Sequence, residues 1–156
     1  MKKIYLAGGC FWGVQAYFKT IKGIIKTTVG YANSEIKNPT YIQVKTGSTN
    51  AVEAVEIYYD EIILKLDEIV KKLFDVIDPT QLNHQAHDFG SQYRNGFYFE
   101  NEEDELIINN KINELSKHIK GKVVTEVLKL KNYYLAEEYH QDYLDKHPNA
   151  YCHINF

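Results

Sequence analysis

The chain has 156 residues, of which 44% are hydrophobic and 25% charged, with a net charge of −3 at neutral pH. That length supports a domain with a real core, and the composition is that of an ordinary soluble protein. The acidic balance lacks the electrostatic footprint of a nucleic-acid binder, and no stretch approaches the length of a membrane span, so neither nucleic acid nor membrane is expected as a partner.

The first element is a short apolar run, Ile4-Tyr5-Leu6-Ala7, that reads as a buried strand. With Met1-Lys2-Lys3 before it and Leu6-Ala7-Gly8-Gly9-Cys10 at its end, it imitates a lipoprotein signal. The apolar region is far short of the roughly 7–15 residues such a signal needs, and the expected location is the cytoplasm. Val14, Tyr17, Phe18 and Ile21 then recur at helical spacing. Cys10, in Gly8-Gly9-Cys10-Phe11-Trp12-Gly13, therefore falls at a strand-to-helix junction. Unpaired amides and the positive dipole end favour an anion there, so the thiol is expected to lose its proton more easily. Gly8 and Gly9 permit a tight turn, and Phe11 and Trp12 set two aromatic faces beside the sulfur, suited to a small apolar group. The competing reading is a cysteine that merely fills core space.

Gly23 ends the first helix, and 24–31 reads as a strand. A polar loop over 32–39 closes at Asn38-Pro39, a short helix is expected over 40–46, and a strand with period-two alternation over 51–59. Glu53 leads the strand face that carries Val55, Ile57 and Tyr59. Burial on that face would raise its pKa and keep it protonated near neutrality, as a general acid needs; a strand-end glutamate at the water edge is the alternative. Leu66, Ile69, Val70, Leu73, Phe74 and Ile77 give a helical stripe stopped by Asp78-Pro79-Thr80. The loop over 81–92 is long and polar, the kind usually tied to function or mobility. A strand is predicted over 97–99, then a helix capped by Asn101 with the stripe Leu106, Ile108, Ile112, Leu115 and Ile119. A strand over 123–130 and a helix over 136–146 follow, and an irregular tail over 148–156 carries Cys152. With no repeat or linker, the chain reads as one catalytic domain. The fold class is α+β, a two-layer sandwich of a mixed or antiparallel sheet with helices packed on it around a ferredoxin-like core.

Other chemistry is sparse. Tyr41 and Tyr93 sit in or beside loops, where a hydroxyl can meet a ligand or the ring can simply pack. Asp88, in His87-Asp88-Phe89-Gly90, reads as a turn residue. No histidine spacing matches a zinc site, there is no CxxC pair, and no phosphate-binding glycine motif occurs. The two cysteines, Cys10 and Cys152, fit a staple in an oxidising compartment, or redox chemistry or two unrelated thiols in the cytosol.

The order of local motifs resembles that of the peptide methionine sulfoxide reductase A family. The resemblance rests on Gly9-Cys10-Phe11-Trp12-Gly13, Gly30-Tyr31, Asn38-Pro39-Thr40-Tyr41, and Val52-Glu53-Ala54-Val55 followed by Tyr59-Asp60. It continues through Asp78-Pro79-Thr80-Gln81, Asp88-Phe89-Gly90-Ser91-Gln92-Tyr93-Arg94 and Pro148-Asn149-Ala150-Tyr151-Cys152. It implies Cys10 as nucleophile, Glu53 as acid, Tyr41 and Tyr93 as hydroxyls binding the sulfoxide oxygen, and Phe11 and Trp12 as the cage for the substrate methyl. It further implies that Asp88 orients the substrate and that Cys152 resolves a Cys10 sulfenic acid to a disulfide. The implied reaction is reduction of methionine S-sulfoxide, free or in proteins, with thioredoxin as reductant and no cofactor or metal. Two departures, Ala51 where the family usually has a histidine and Asn33-Ser34 where glycines are common, bear on loop shape and peptide preference. A cysteine hydrolase using His87 or His140, or a non-catalytic module binding oxidised methionine, are the rival classes.

Overall fold

The computed structural model of the chain describes residues 1–154; the last two positions of the expected tail lie outside the described residues. Strands β1 (Lys2–Gly8), β2 (Ile24–Ala32), β3 (Val52–Tyr59), β6 (Asn95–Phe99), β7 (Glu126–Lys129) and β8 (Tyr133–Leu135) form a six-stranded sheet in the order β7-β6-β1-β3-β2-β8. The β6–β7 pair is parallel and the other pairs are antiparallel, so the sheet is mixed. Strands β4 (His84–Gln85) and β5 (Asp88–Phe89) make a small separate hairpin inside the long polar loop. The helices are α1 (Phe11–Lys19), α2 (Tyr41–Lys45), α3 (Leu66–Phe74), α4 (Glu102–Ser116) and α5 (Tyr143–Lys146). Among the described residues no helix is long and apolar enough to cross a membrane.

The period-two pattern divides the sheet as pleating requires. Ile4, Leu6, Val29, Val55, Ile57 and Phe97 pack with Val14 and Phe18 of α1, Ile69, Val70 and Leu73 of α3, and Ile108 and Ile112 of α4. Each such side chain contributes roughly 1.5–3 kcal/mol by leaving water. The opposite face carries Tyr5, Ala7, Ala54 and Tyr98, with Tyr133 packed against them. There Tyr5 donates to Glu56 at 2.8 Å and Thr28 to the same carboxylate at 3.0 Å.

Three local expectations are corrected. The buried stripe of α4 runs through Asp104, Ile108 and Ile112, while Leu106 is 65% exposed; four-residue steps from the first turn set the buried face, and Leu106 falls off it. Asn101 stands at the N-cap position of α4 without a side-chain capping bond. The helix expected over 136–146 is instead a single 3₁₀ turn at Glu138–His140 followed by α5. Its backbone and side chains are engaged elsewhere. Ala136 N–H donates to Val29 O at 3.0 Å, and the Gln141 amide both accepts from Val29 N–H and donates to Val29 O, at 3.0 and 2.9 Å. The side chain of Gln141 thus extends the pairing at the β2 edge, and these long-range bonds override the local helical pattern.

The edge strand β8 approaches β2 closely at Gly30. A Cβ there would lie 2.5 Å from the Tyr133 ring and 2.6 Å from the Tyr134 carbonyl oxygen. Gly30→Ala must therefore push β8 outward, and is expected to destabilise the fold by ~1–3 kcal/mol, measured as a lower urea midpoint with an unchanged m-value.

Candidate active site

Cys10 occupies the position before the first residue of α1, where β1 ends and the chain turns at Gly9 with φ of 91°. Only glycine takes that conformation freely, and its missing side chain leaves room: a Cβ at Gly9 would lie 2.8 Å from Gln85 Cβ. The sulfur receives a hydrogen bond from the Trp12 backbone N–H, as a helix start should provide. That contact does not dominate. Burial pushes the Cys10 thiol well up, and the neighbouring Glu53 carboxylate pushes it further. The expectation of an acidic thiol in the resting protein is thus corrected, because desolvation outweighs one amide and the end of a short helix.

Glu53 lies on the face of β3 that packs against the helices and is 1% exposed. Its Oε1 accepts the Phe11 N–H at 3.2 Å, which fixes it at the start of α1. Burial raises its pKa to about 8, with the Phe11 contact opposing and the Asp88 charge adding to the rise. At neutral pH the carboxyl therefore holds a proton. The water-edge alternative for Glu53 is overturned.

Tyr41 opens α2, where Thr40 and Gln43 form a reciprocal capping box. Its phenol is hydrogen-bonded to that of Tyr93, and burial followed by the charges of Glu53 and Cys10 raises its pKa to about 12. The Tyr93 hydroxyl is also held far up by burial, Glu53, Tyr41 and Cys10. The two phenols are therefore neutral donors within the field of both the thiol and the acid. Asp88, on β5, is half-buried, and its Oδ2 has no hydrogen-bond partner among the described residues. Burial raises its pKa, while His153 and His87 pull it down.

Phe11 and Trp12 stand differently. Phe11 is buried in the core, with its ring 5.8 Å from that of Tyr31. Trp12 is half-buried and stacks on Tyr143 at 3.7 Å between centroids, and its indole N–H donates to His140 Nδ1 at 3.0 Å. Cys152 is also half-buried. Its sulfur accepts the Ile154 N–H at 3.3 Å, and a Cβ at Gly13 would lie 2.6 Å from it. The tail is therefore docked on the first turn of α1, and both thiols are free. The structure brings Glu53, Tyr41, Tyr93, Asp88 and Cys152 within electrostatic range of Cys10. A groove of about 790 Å³ between α3 and α4 includes none of them.

Two supporting roles were not read from the sequence, where His140 enters only as a base in the rival hydrolase reading. Glu137 accepts the Tyr31 hydroxyl at 2.8 Å and the Tyr41 backbone N–H at 3.0 Å, so it ties α2 to the sheet. Its pKa is lowered despite burial, chiefly by the Tyr41 amide. His140 is buried among the rings of Phe11, Trp12, Tyr41 and Tyr139. Both belong to the stretch that patterns as a helix, which hid their inward roles.

Over residues 2–156 the chain matches the sequence profile of the family described as peptide methionine sulfoxide reductase. Peptide methionine sulfoxide reductase MsrA of Metamycoplasma arthritidis (strain 158L3-1) is 64% identical over 156 residues, 100% of each chain. The crystal structure of Mxr1 from Saccharomyces cerevisiae in reduced form superposes with a TM-score of 0.95 at 33% identity, covering 99% of this chain and 91% of that one. The structure of Mxr1 in complex with Trx2 gives a TM-score of 0.67 at 26% identity, covering 91% and 84%.

The buried acid has a stability signature. A carboxyl with a folded pKa of about 8 against an ordinary 4.5 supports the folded state fully below pH 4.5, and that support is lost as pH rises through 8. Glu53→Gln keeps an acceptor for Phe11 N–H without the titration. It is expected to gain on the wild type as pH rises from 5 to 8.5, by roughly 4 kcal/mol, in urea unfolding at a series of pH values. A constant difference would mean that Glu53 is not desolvated.

Proposed function

Because the chain belongs to the peptide methionine sulfoxide reductase family, we propose that Cys10, Glu53, Tyr41 and Tyr93 carry out its reaction, and that Phe11, Trp12 and Asp88 seat the substrate. The protein is an oxidoreductase that returns methionine sulfoxide to methionine and so repairs oxidised proteins. The observation that carries the assignment of roles is the protonated, buried Glu53 beside Cys10.

The roles follow from that pair. Phe11 and Trp12 receive the methyl group of the sulfoxide, and the hydroxyls of Tyr41 and Tyr93 donate to its oxygen. With Glu53 protonated, the charge that repels a Cys10 thiolate is gone, and the Trp12 amide and helix start then favour the anion. The thiolate attacks the sulfoxide sulfur while Glu53 gives its proton to the oxygen, which the attack makes basic. The hydroxyl so formed passes from the substrate sulfur to the Cys10 sulfur as the new S–S bond and the substrate S–O bond break; methionine leaves with the electron pair, reduced, and Cys10 is left oxidised as a sulfenic acid. Cys152 then condenses with it to a disulfide and water. Thioredoxin reduces the disulfide, a reading supported by the likeness to Mxr1 in complex with Trx2. No metal or organic cofactor enters these steps. Reduced thiols fit a cytoplasmic setting. The S epimer is the expected substrate.

The same proposal treats the chain as a single catalytic domain in two layers. The strand order β6-β1-β3-β2, with α1 linking β1 to β2 and α3 lying between β3 and β6, supports a ferredoxin-like core.

Separated S and R sulfoxides of a blocked methionine, supplied with dithiothreitol, test the reading. Methionine is expected from the S form alone, and none from Cys10→Ser; turnover by that variant would remove Cys10 from the mechanism. Glu53→Gln is expected to slow the wild-type rate at neutral pH by ~10²–10⁴-fold, with a smaller deficit at lower pH. The wild-type rate should itself fall as pH rises through about 8, where Glu53 loses its proton. An alkaline limb that survives in Glu53→Gln would assign the titration to another group.

A further inference from the structure

The docked tail holds a half-buried imidazole that the steps above leave without a task. His153 follows Cys152 directly, and its Nε2 lies 2.6 Å from the Gly8 carbonyl oxygen. A carbonyl oxygen only accepts, so Nε2 carries the hydrogen and Nδ1 holds a lone pair. Nδ1 is buried, with no hydrogen-bond partner among the described residues. A buried acceptor without a donor costs stability, so it needs a reason.

The surroundings supply one. A Cβ at Gly9 would lie 2.8 Å from His153 Nε2, so the ring sits against the backbone that leads into Cys10. A Cβ at Gly13 would lie 3.6 Å from Nδ1 and 2.6 Å from the Cys152 sulfur. The imidazole lone pair and the Cys152 thiol thus share the space above Gly13, in the first turn of α1, and Gly13 keeps that space open. The charged and titratable groups that face His153 are Asp88 of β5, which interacts with it, and Cys152 on its own segment, with Cys10 following the Gly9 backbone that the ring touches. His87 also acts on Asp88.

We propose that His153 is the proton acceptor of the resolving step. It takes the proton of the Cys152 thiol at Nδ1 as that sulfur attacks the Cys10 sulfenic acid, and hands it to the departing hydroxide. The Cys10–Cys152 bond forms, the Cys10 S–O bond breaks, and the thiol hydrogen leaves with the hydroxyl as water. No further oxidant or reductant takes part. The proposal rests on the reading of Cys152 as the resolving thiol. Such a base is needed, because burial raises the pKa of the Cys152 thiol and leaves little thiolate at neutral pH. Burial also lowers the pKa of His153, which keeps it neutral and able to accept. Asp88 faces the imidazolium that forms in passing and stabilises it.

A latch role, in which His153 only pins the tail to Gly8, is separated by a single-turnover experiment without reductant. One equivalent of sulfoxide is mixed with enzyme and acid-quenched, methionine release is followed, and intact mass is read. Wild type loses two hydrogens as the disulfide forms, and Cys152→Ser gains one oxygen. In His153→Gln, whose amide can still donate to Gly8, the ratio of the disulfide rate to the methionine-release rate is expected to fall by ~10²-fold, with the sulfenic acid accumulating. His153→Ala should show the same defect and recover in added imidazole, and the wild-type disulfide rate should fall at acid pH as the imidazole protonates. A wild-type ratio in His153→Gln, or no recovery of His153→Ala in imidazole, overturns the proposal while leaving Cys152 in place. A wild type that keeps the sulfenic acid without losing two hydrogens overturns both.

Discussion

Glu53 is held on an apolar strand face and fixed by the Phe11 amide, which places a carboxyl where water would normally stabilise its charge and does not reach. Dry, it keeps its proton at neutral pH. Strand β3 supplies the side chain, α1 supplies both the amide that fixes it and the junction that carries Cys10, and Tyr41 and Tyr93 lie within its field. Burial, thiol, acid and phenols are therefore one arrangement. Their pKa values are all displaced upward by the same loss of solvent, so thiol, acid and phenols hold their protons at neutral pH.

A second level of support comes from one edge of the sheet. Beyond β8, the segment containing Ala136, Glu137, His140 and Gln141 binds β2 through Val29, α2 through the Tyr41 amide and α1 through the Trp12 indole. Three elements that are remote in sequence are thereby held to one another at the place where the proposed substrate pocket opens. The segment is irregular because its hydrogen-bonding groups face outward to other elements, and a regular helix would have turned its backbone groups on itself.

The parts of this arrangement that sequence exposes are those built from local periodicity. The strand-to-helix junction at Cys10, the alternating face of β3 with Glu53 and the stripe of α3 each follow from side chains within a few residues of one another. Glu137 and His140 meet partners 96 to 128 residues away, and nothing in their own neighbourhood announces it. Strand β8 is three residues long, too short to show a period. The Cys10 thiol shows a related limit. Its helix start is legible, yet the depth of its burial belongs to the whole tertiary structure and reverses the local expectation. The tail over 148–154 reads as irregular and is so, but its packing through Cys152, His153 and Ile154 against α1, Gly8 and the core has no local signal.

Trp12 is the only tryptophan in the chain. Its indole is stacked on Tyr143 and bonded to a ring nitrogen of His140. An excited indole is sensitive to stacking, to the loss of its N–H partner and to the polarity around it. Indole emission of this protein therefore originates at one spot, two residues from the Cys10 sulfur. The molecule carries its own optical label, and light excited at the red edge of protein absorption will read out events there with no background from another indole.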